Sequence, residues 1–148
     1  ALPQQEVKHP DIKLTHIISD YRKQLASLPL NYSLLEKKQL SDVVLQKYEL
    51  NSQTWSPQGI VSPQEWQHEV DIYIPDAPEN KHALVVINNG TNYPGPGIPP
   101  SDISPEALAR IAHSTETIVI SVSNIPNQYL TYQGNPTPLA EDNSVAYT

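Results

Sequence analysis

The sequence contains no cysteine. A disulfide, a zinc–thiolate site, an iron–sulfur site and a cysteine nucleophile are therefore excluded. It contains no methionine either, so the chain is not expected to begin at its own start codon. Its Ala1-Leu2-Pro3 end reads as what remains after removal of a signal peptide, or as a cut. Basic residues are few. Nine Lys plus Arg stand against sixteen Asp plus Glu, for a net charge of −7. A nucleic-acid binder shows a basic patch or stripe, and so does a surface made for anionic lipid; the charge balance argues against both classes. Long apolar runs are missing. The longest, Ala83 to Ile87, is far too short to span a bilayer as a helix. Glycine is scarce, with five residues against fifteen prolines. That ratio favours long, stiffened loops over tight glycine turns.

What is there suits one ordinary domain. The chain has 148 residues, 38% hydrophobic and 17% charged. Collagen-like, coiled-coil and charge-driven disordered chains are excluded. A domain of this length buries roughly 68–70% of its unfolded surface, enough for a real core. Residues 1–10 are polar, contain Pro3 and Pro10, and read as an N-terminal arm. Residues 11–148 read as a single α/β unit.

The spacing of Leu14, Ile17, Ile18, Tyr21, Leu25 and Leu28 predicts a helix, with Asp11 as cap and Pro29 as stop. Its stripe is expected to pack on the core of its own domain. Residues 30–41 read as a short helix or a loop, Val43 to Leu50 as a strand, and Asn51 to Pro63 as a loop. Trp66, His68, Val70, Ile72 and Ile74 alternate with Gln67, Glu69, Asp71 and Tyr73. That period of two predicts a strand that buries the first set. Ala83 to Ile87 and Thr117 to Val122 predict strands buried on both faces, as in a parallel sheet. Between them Ser104 is placed to cap a helix, Pro105 to open it, and Leu108, Ile111 and Ala112 to form its apolar face. Residues 88–101 and 125–139 read as loops, and residues 141–148 as the start of a helix. Antiparallel strands followed by a parallel crossover make the N-terminal part of an α/β-hydrolase-like sheet.

The sharpest candidate site is Asn88-Asn89-Gly90-Thr91, directly after a buried strand. Open α/β sheets bind ligands at that end. A backbone N–H from this loop would serve an oxyanion hole, and Gly90 allows close approach. The plainer reading is a turn. The elbow Gly-x-Ser-x-Gly is absent, so in an α/β-hydrolase-like fold this chain would hold the scaffold start and the oxyanion loop but not the triad. The histidines, His9, His16, His68, His82 and His113, show no metal-ligand spacing. No metal site and no cofactor are expected. His68 on the apolar strand face reads first as a structural histidine, and Glu141-Asp142 as helix-start carboxylates. Two Asn-x-Ser/Thr sequons, at Asn31 and Asn89, matter only in a eukaryotic secreted chain.

Several segments carry a resemblance. They are Asp20-Tyr21, Leu50-Asn51-Ser52-Gln53-Thr54-Trp55, then Trp66-Gln67-His68 running to Tyr73-Ile74-Pro75, Ile125-Pro126-Asn127-Gln128, and Glu141-Asp142 with Ala146-Tyr147-Thr148. Together they resemble the PhoPQ-activated pathogenicity-related family, the group that includes the autocrine proliferation repressor proteins. The resemblance runs from about Ile18 to Thr148. It implies an α/β-hydrolase-like protein, longer than this chain, exported with a cleaved signal to the periplasm or the outside. The serine of that family lies in a Gly-x-Ser-Lys-Arg-Gly-Trp-like segment with no match here, so no catalytic residue is carried over. His68, Asn127, Tyr129 and Asp142, in or beside these motifs, are candidates for lining a site.

Two readings follow. In the first, the chain is the N-terminal scaffold of a serine-dependent ester or amide hydrolase whose triad lies beyond Thr148. In the second, the same fold serves a non-catalytic exported binding or signalling protein. The expected partner is the missing C-terminal portion or a second copy, with a small-molecule or peptide substrate. Standing alone, such a sheet would keep an open edge and an uncovered face.

Overall fold

A computed structural model describes residues 14–88, 103–125, 129–132 and 135–140. Strands β1 (Asn31–Leu40) and β2 (Val43–Thr54) form a long hairpin through Ser41 and Asp42. A two-residue hairpin turn needs left-handed backbone, which Ser41 supplies at φ 52°. Gln39 Nε2 donates to the Ser41 carbonyl at 2.6 Å and ties the turn. The helix-or-loop reading of residues 30–41 is thereby corrected. Pairing along most of β2 outweighs the local leucine spacing, and a bulge between Leu34 and Glu36 absorbs the doubled leucine.

β4 (Glu65–Pro75) runs antiparallel to β2 and to β6 (Val119–Ser123). β5 (Leu84–Ile87) runs parallel to β6, and α2 (Pro105–Thr115) lies between them in sequence. The sheet order is β1-β2-β4-β6-β5. The fold is therefore mixed α/β, with a mostly antiparallel sheet and one parallel pair. A second sheet joins β3 (Val61–Ser62), β7 (Tyr129–Tyr132) and β8 (Asn135–Ala140). These segments were expected in loops. Pro136 and Pro138 obscured β8, and they fit a strand that, among the described residues, pairs on one side only.

α2 starts as its sequence predicts. Pro105 occupies the first turn, and the Ser104 hydroxyl accepts from the Ala107 N–H at 3.2 Å. It ends at Glu116, held left-handed at φ 51° with its N–H on the carbonyls of Ala112 and His113. Glycine is the residue suited to that position. Glu116→Gly is expected to raise stability by about 1 kcal/mol, seen as a higher urea midpoint with unchanged slope.

α2 lays Leu108 and Ala112 on Val43, Leu45, Tyr73 and Val119, and this is the core of the larger sheet. The buried phase of β4 is therefore the reverse of the expected one. Asp71, Tyr73 and Pro75 are buried, whereas Val70, Ile72 and Ile74 are only half-buried. Both phases of this strand carry large side chains, so alternation identifies a strand without telling which face the helix takes. The opposite face also carries Val44, Ile120, Val122, Val85 and Ile87 by register. No described helix buries that face.

Two further expectations are corrected. β5 is an edge strand among the described residues rather than one buried on both faces: Val85 is 56% and Ile87 64% exposed. α1 (Ile17–Ser27), after a 3-10 turn at Leu14–His16, exists but buries no residue. Its Ile18 is 76% exposed, so the stripe does not pack on the core. Among the described residues, β5 ends the larger sheet and no helix covers its second face. Asp11, residues 1–10 and residues 141–148 lie outside the described residues.

Candidate functional site

The parallel pair places the carboxyl ends of β5 and β6 side by side, with Ile87 opposite Val122. Asn88 follows β5 and is 5% exposed. Its backbone N–H donates to the Val122 carbonyl at 2.8 Å, extending the ladder by one rung. Its side chain reaches across the chain. Oδ1 accepts from the Ile103 N–H at 2.9 Å, and Nδ2 donates to the Ile103 carbonyl at 3.2 Å. Nδ2 also lies 3.3 Å from Ser121 Oγ. The amide thus closes residues 88 and 103 into a pinned loop base. Its donors and acceptor are engaged, so the side chain serves as a clamp. Asn89, Gly90 and Thr91 lie outside the described residues.

A second polar group sits on the same face of the sheet. Lys47 Nζ is 2.7 Å from Glu69 Oε1 and 3.0 Å from Asp71 Oδ2. The Asp71 side chain is 9% exposed and that of Lys47 is 24% exposed. Burial opposes the Lys47 charge, but its hydrogen bonds to both carboxylates outweigh this and hold its pKa above the ordinary lysine value. Burial pushes the Asp71 carboxyl up, against the downward pull of Lys47. Burial also pushes the Tyr73 hydroxyl up to about 12, with the Asp71 charge adding to it. Asp71 Oδ1 is buried without a hydrogen-bond partner. Ser121, 1% exposed, is the residue directly opposite Asp71 on β6.

His68 belongs to a third group, on the other face. Its Nε2 is 3.1 Å from Ser52 Oγ, and that hydroxyl donates to the Trp66 carbonyl at 3.2 Å. With the serine proton so placed, the ring N–H is assigned as donor to Ser52. This tie closes the bulge between Asn51 and Gln53. Trp66 Nε1 donates to the Trp55 carbonyl at 3.1 Å, and the two indoles pack edge-on with centroids 5.9 Å apart. The Tyr21 hydroxyl donates to Gln53 Oε1 at 2.6 Å. Ser52, Gln53, Trp55, Trp66 and His68 therefore gather in one knot joining β2, β4 and α1. A cavity of about 110 Å³ lies beside it, lined by Leu35, Tyr48, Glu49, Gln67, His68, Glu69 and Asn124.

Ser52, Gln53, Trp55, Trp66 and His68 belong to two of the motifs that carry the resemblance noted in the sequence. The sequence model of the PhoPQ-activated pathogenicity-related protein family matches residues 18–148. The chain belongs to that family. No curated protein and no solved structure matches it.

Of the sequence-derived site candidates, the structure brings Asn88 and His68 to the same end of the sheet but to opposite faces. Tyr129 begins β7, in the smaller sheet. Asn127 and Asp142 lie outside the described residues. Lys47, Asp71 and Ser121 were missed. The available signal was a lysine two residues after Leu45 and an aspartate two before Tyr73, charges sharing the phase of core residues on neighbouring strands. Among the described residues, no group of three or more His, Asp or Glu is placed to hold a metal ion. No described helix is long and apolar enough to cross a membrane. A larger groove of about 480 Å³ lies at the hairpin end of the sheet, between α2 and Leu40–Val43, away from the parallel carboxyl ends.

Proposed function

We propose that this member of the PhoPQ-activated pathogenicity-related family forms the N-terminal scaffold of an α/β-hydrolase-like protein. In this reading the loop after β5 lines the oxyanion side of a site for an ester or amide carbonyl. The observation that carries it is the parallel β5–β6 pair with a loop base pinned at its carboxyl end by Asn88. Loops at that end of an open α/β sheet are where ligands bind. Antiparallel β4 and β2 beside the pair fit the same reading.

The nucleophile is supplied by sequence outside these residues, because Gly-x-Ser-x-Gly is absent. Ser52 does not replace it, since its hydroxyl is committed to the Trp66 carbonyl. Backbone donors from the loop would stabilise the charge that develops on the carbonyl oxygen. Export to the periplasm or the outside belongs to the same reading.

Turnover of short-chain acyl esters by the full-length gene product is the test. The expected result is saturable hydrolysis that stops after treatment with a serine-directed fluorophosphonate. A folded full-length protein with no turnover of ester or amide substrates would favour the non-catalytic binding role.

A further inference from the structure

We propose that Ser121 is a positioning residue that joins the buried Lys47–Asp71 pair to the Asn88 clamp, forming one polar relay across the sheet. The relay runs from Glu69 and Lys47 through Asp71 and Ser121 to Asn88 and Ile103. It rests on reading the loop after β5 as part of the site; the test below does not.

The starting point is the unpartnered oxygen. Asp71 Oδ1 is buried and accepts no hydrogen bond. A buried acceptor left without a donor carries a substantial desolvation cost, larger for a charged group. A donor therefore belongs within reach of a side-chain rotation. Ser121 faces Asp71 directly across the β4–β6 ladder. Directly opposed residues hold their Cβ atoms about 4.5–5.5 Å apart, and a serine hydroxyl can both accept and donate. Ser121 Oγ already accepts from Asn88 Nδ2. Among the described residues its own hydrogen has no acceptor, and Asp71 Oδ1 is the acceptor that lacks a donor. A small side-chain rotation that brings Oγ and Oδ1 within hydrogen-bond distance satisfies both groups.

The consequence is a coupling. Loss of the Asp71 charge weakens the acceptor that orders the Ser121 hydroxyl, and so loosens the partner of Asn88 Nδ2. Asn88 holds Ile103 through both its amide atoms. The protonation state of a core carboxylate is thereby transmitted to the loop base. The charged or titratable groups around Asp71 are Lys38 from β1, Lys47 from β2, and Glu69 and Tyr73 from β4; Glu106 from α2 acts on Tyr73.

Carboxyl carbon and side-chain amide NMR titrations on isotope-labelled protein test the relay. In the wild type, the Asn88 amide signals are expected to titrate with the same midpoint as the Asp71 carboxyl. In Ser121→Ala, the Asp71 midpoint is expected to move upward by about half a unit or more, because a hydrogen bond to the charged form is lost. Ser121→Thr, which keeps a hydroxyl, is expected to restore it. A wild-type Asn88 signal that ignores the Asp71 titration overturns the relay, and that reading needs no variant to fold. An unchanged Asp71 midpoint in folded Ser121→Ala overturns it as well. Neither outcome depends on whether the full-length protein hydrolyses esters.

Discussion

Replacing Lys47 with methionine is expected to destabilise the protein by about 3 kcal/mol, near the lower end of the cost of orphaning a buried charge. Methionine keeps most of the aliphatic stem, so packing against the sheet is nearly preserved. What is lost is the ammonium that neutralises Asp71 and Glu69 at 3.0 and 2.7 Å. Glu69 turns to solvent at little cost, since its side chain is 41% exposed. Asp71, at 9%, cannot. The lower end applies because the Lys47 side chain still reaches water at 24% exposure.

The reciprocal change behaves differently. Asp71→Asn leaves the Lys47–Glu69 bridge in place and removes a charge that burial disfavours. It is expected to change stability by less than about 1 kcal/mol, since Lys47 keeps Glu69 at 2.7 Å and reaches water, so no buried charge is left uncompensated. The asymmetry is the diagnostic, and urea unfolding of both variants reads it.

The pH dependence follows from the direction of the Asp71 shift. Its native pKa lies above the unfolded value, so the native state binds the proton more tightly. Its contribution is then most favourable at low pH and is lost as pH rises from the ordinary carboxylate range through the raised native value. The Lys47→Met deficit is therefore expected to shrink on acidification. In Asp71→Asn that component of the pH slope should be absent. A Lys47→Met deficit independent of pH would contradict the assignment.

Leu108→Ala is the second large effect, at an expected 2–5 kcal/mol lost. Leu108 is 1% exposed and packs with Val43, Leu45, Tyr73, Ala112 and Val119. α2 is the helix that buries this face, so little can collapse into the space left. Ile18→Ser on α1 is the matched control, with an expected change within about 0.5 kcal/mol, because Ile18 is 76% exposed and surface substitutions away from special features rarely do more. Equal losses at the two positions would mean that α1 packs on the core after all.

These two results bear on how much the sequence could convey. The start and apolar face of α2 were legible, because its cap, its first-turn proline and its apolar spacing are local signals; its end at Glu116 carries no glycine signal. β2 and β4 were legible as strands. Which face of β4 is buried was not, because Ile72 and Tyr73 are both large and the choice depends on where a helix from residue 105 onward lands. β1 was hidden because Leu34 and Leu35 mimic helical spacing, while hairpin pairing with β2 is a non-local energy. β8 was hidden by Pro136 and Pro138, which mark loops more often than edge strands. The place of the candidate site, after β5, followed from the apolar run that ends at Ile87. Its chemistry did not. The clamp joins Asn88 to Ile103, and the ion pair joins Lys47 to Asp71 on another strand. Such contacts appear only once sheet order and strand phase are known.

The central claim is that residues 1–148 provide a scaffold and a pinned loop base, while the nucleophile comes from elsewhere in the protein. Labelling the full-length gene product with a fluorophosphonate, then mapping the modified peptide, tests it most directly. The account predicts a single modified serine outside residues 1–148. A label on a serine within them, such as Ser52 in the knot beside His68, or no labelled serine in the folded protein, would contradict it.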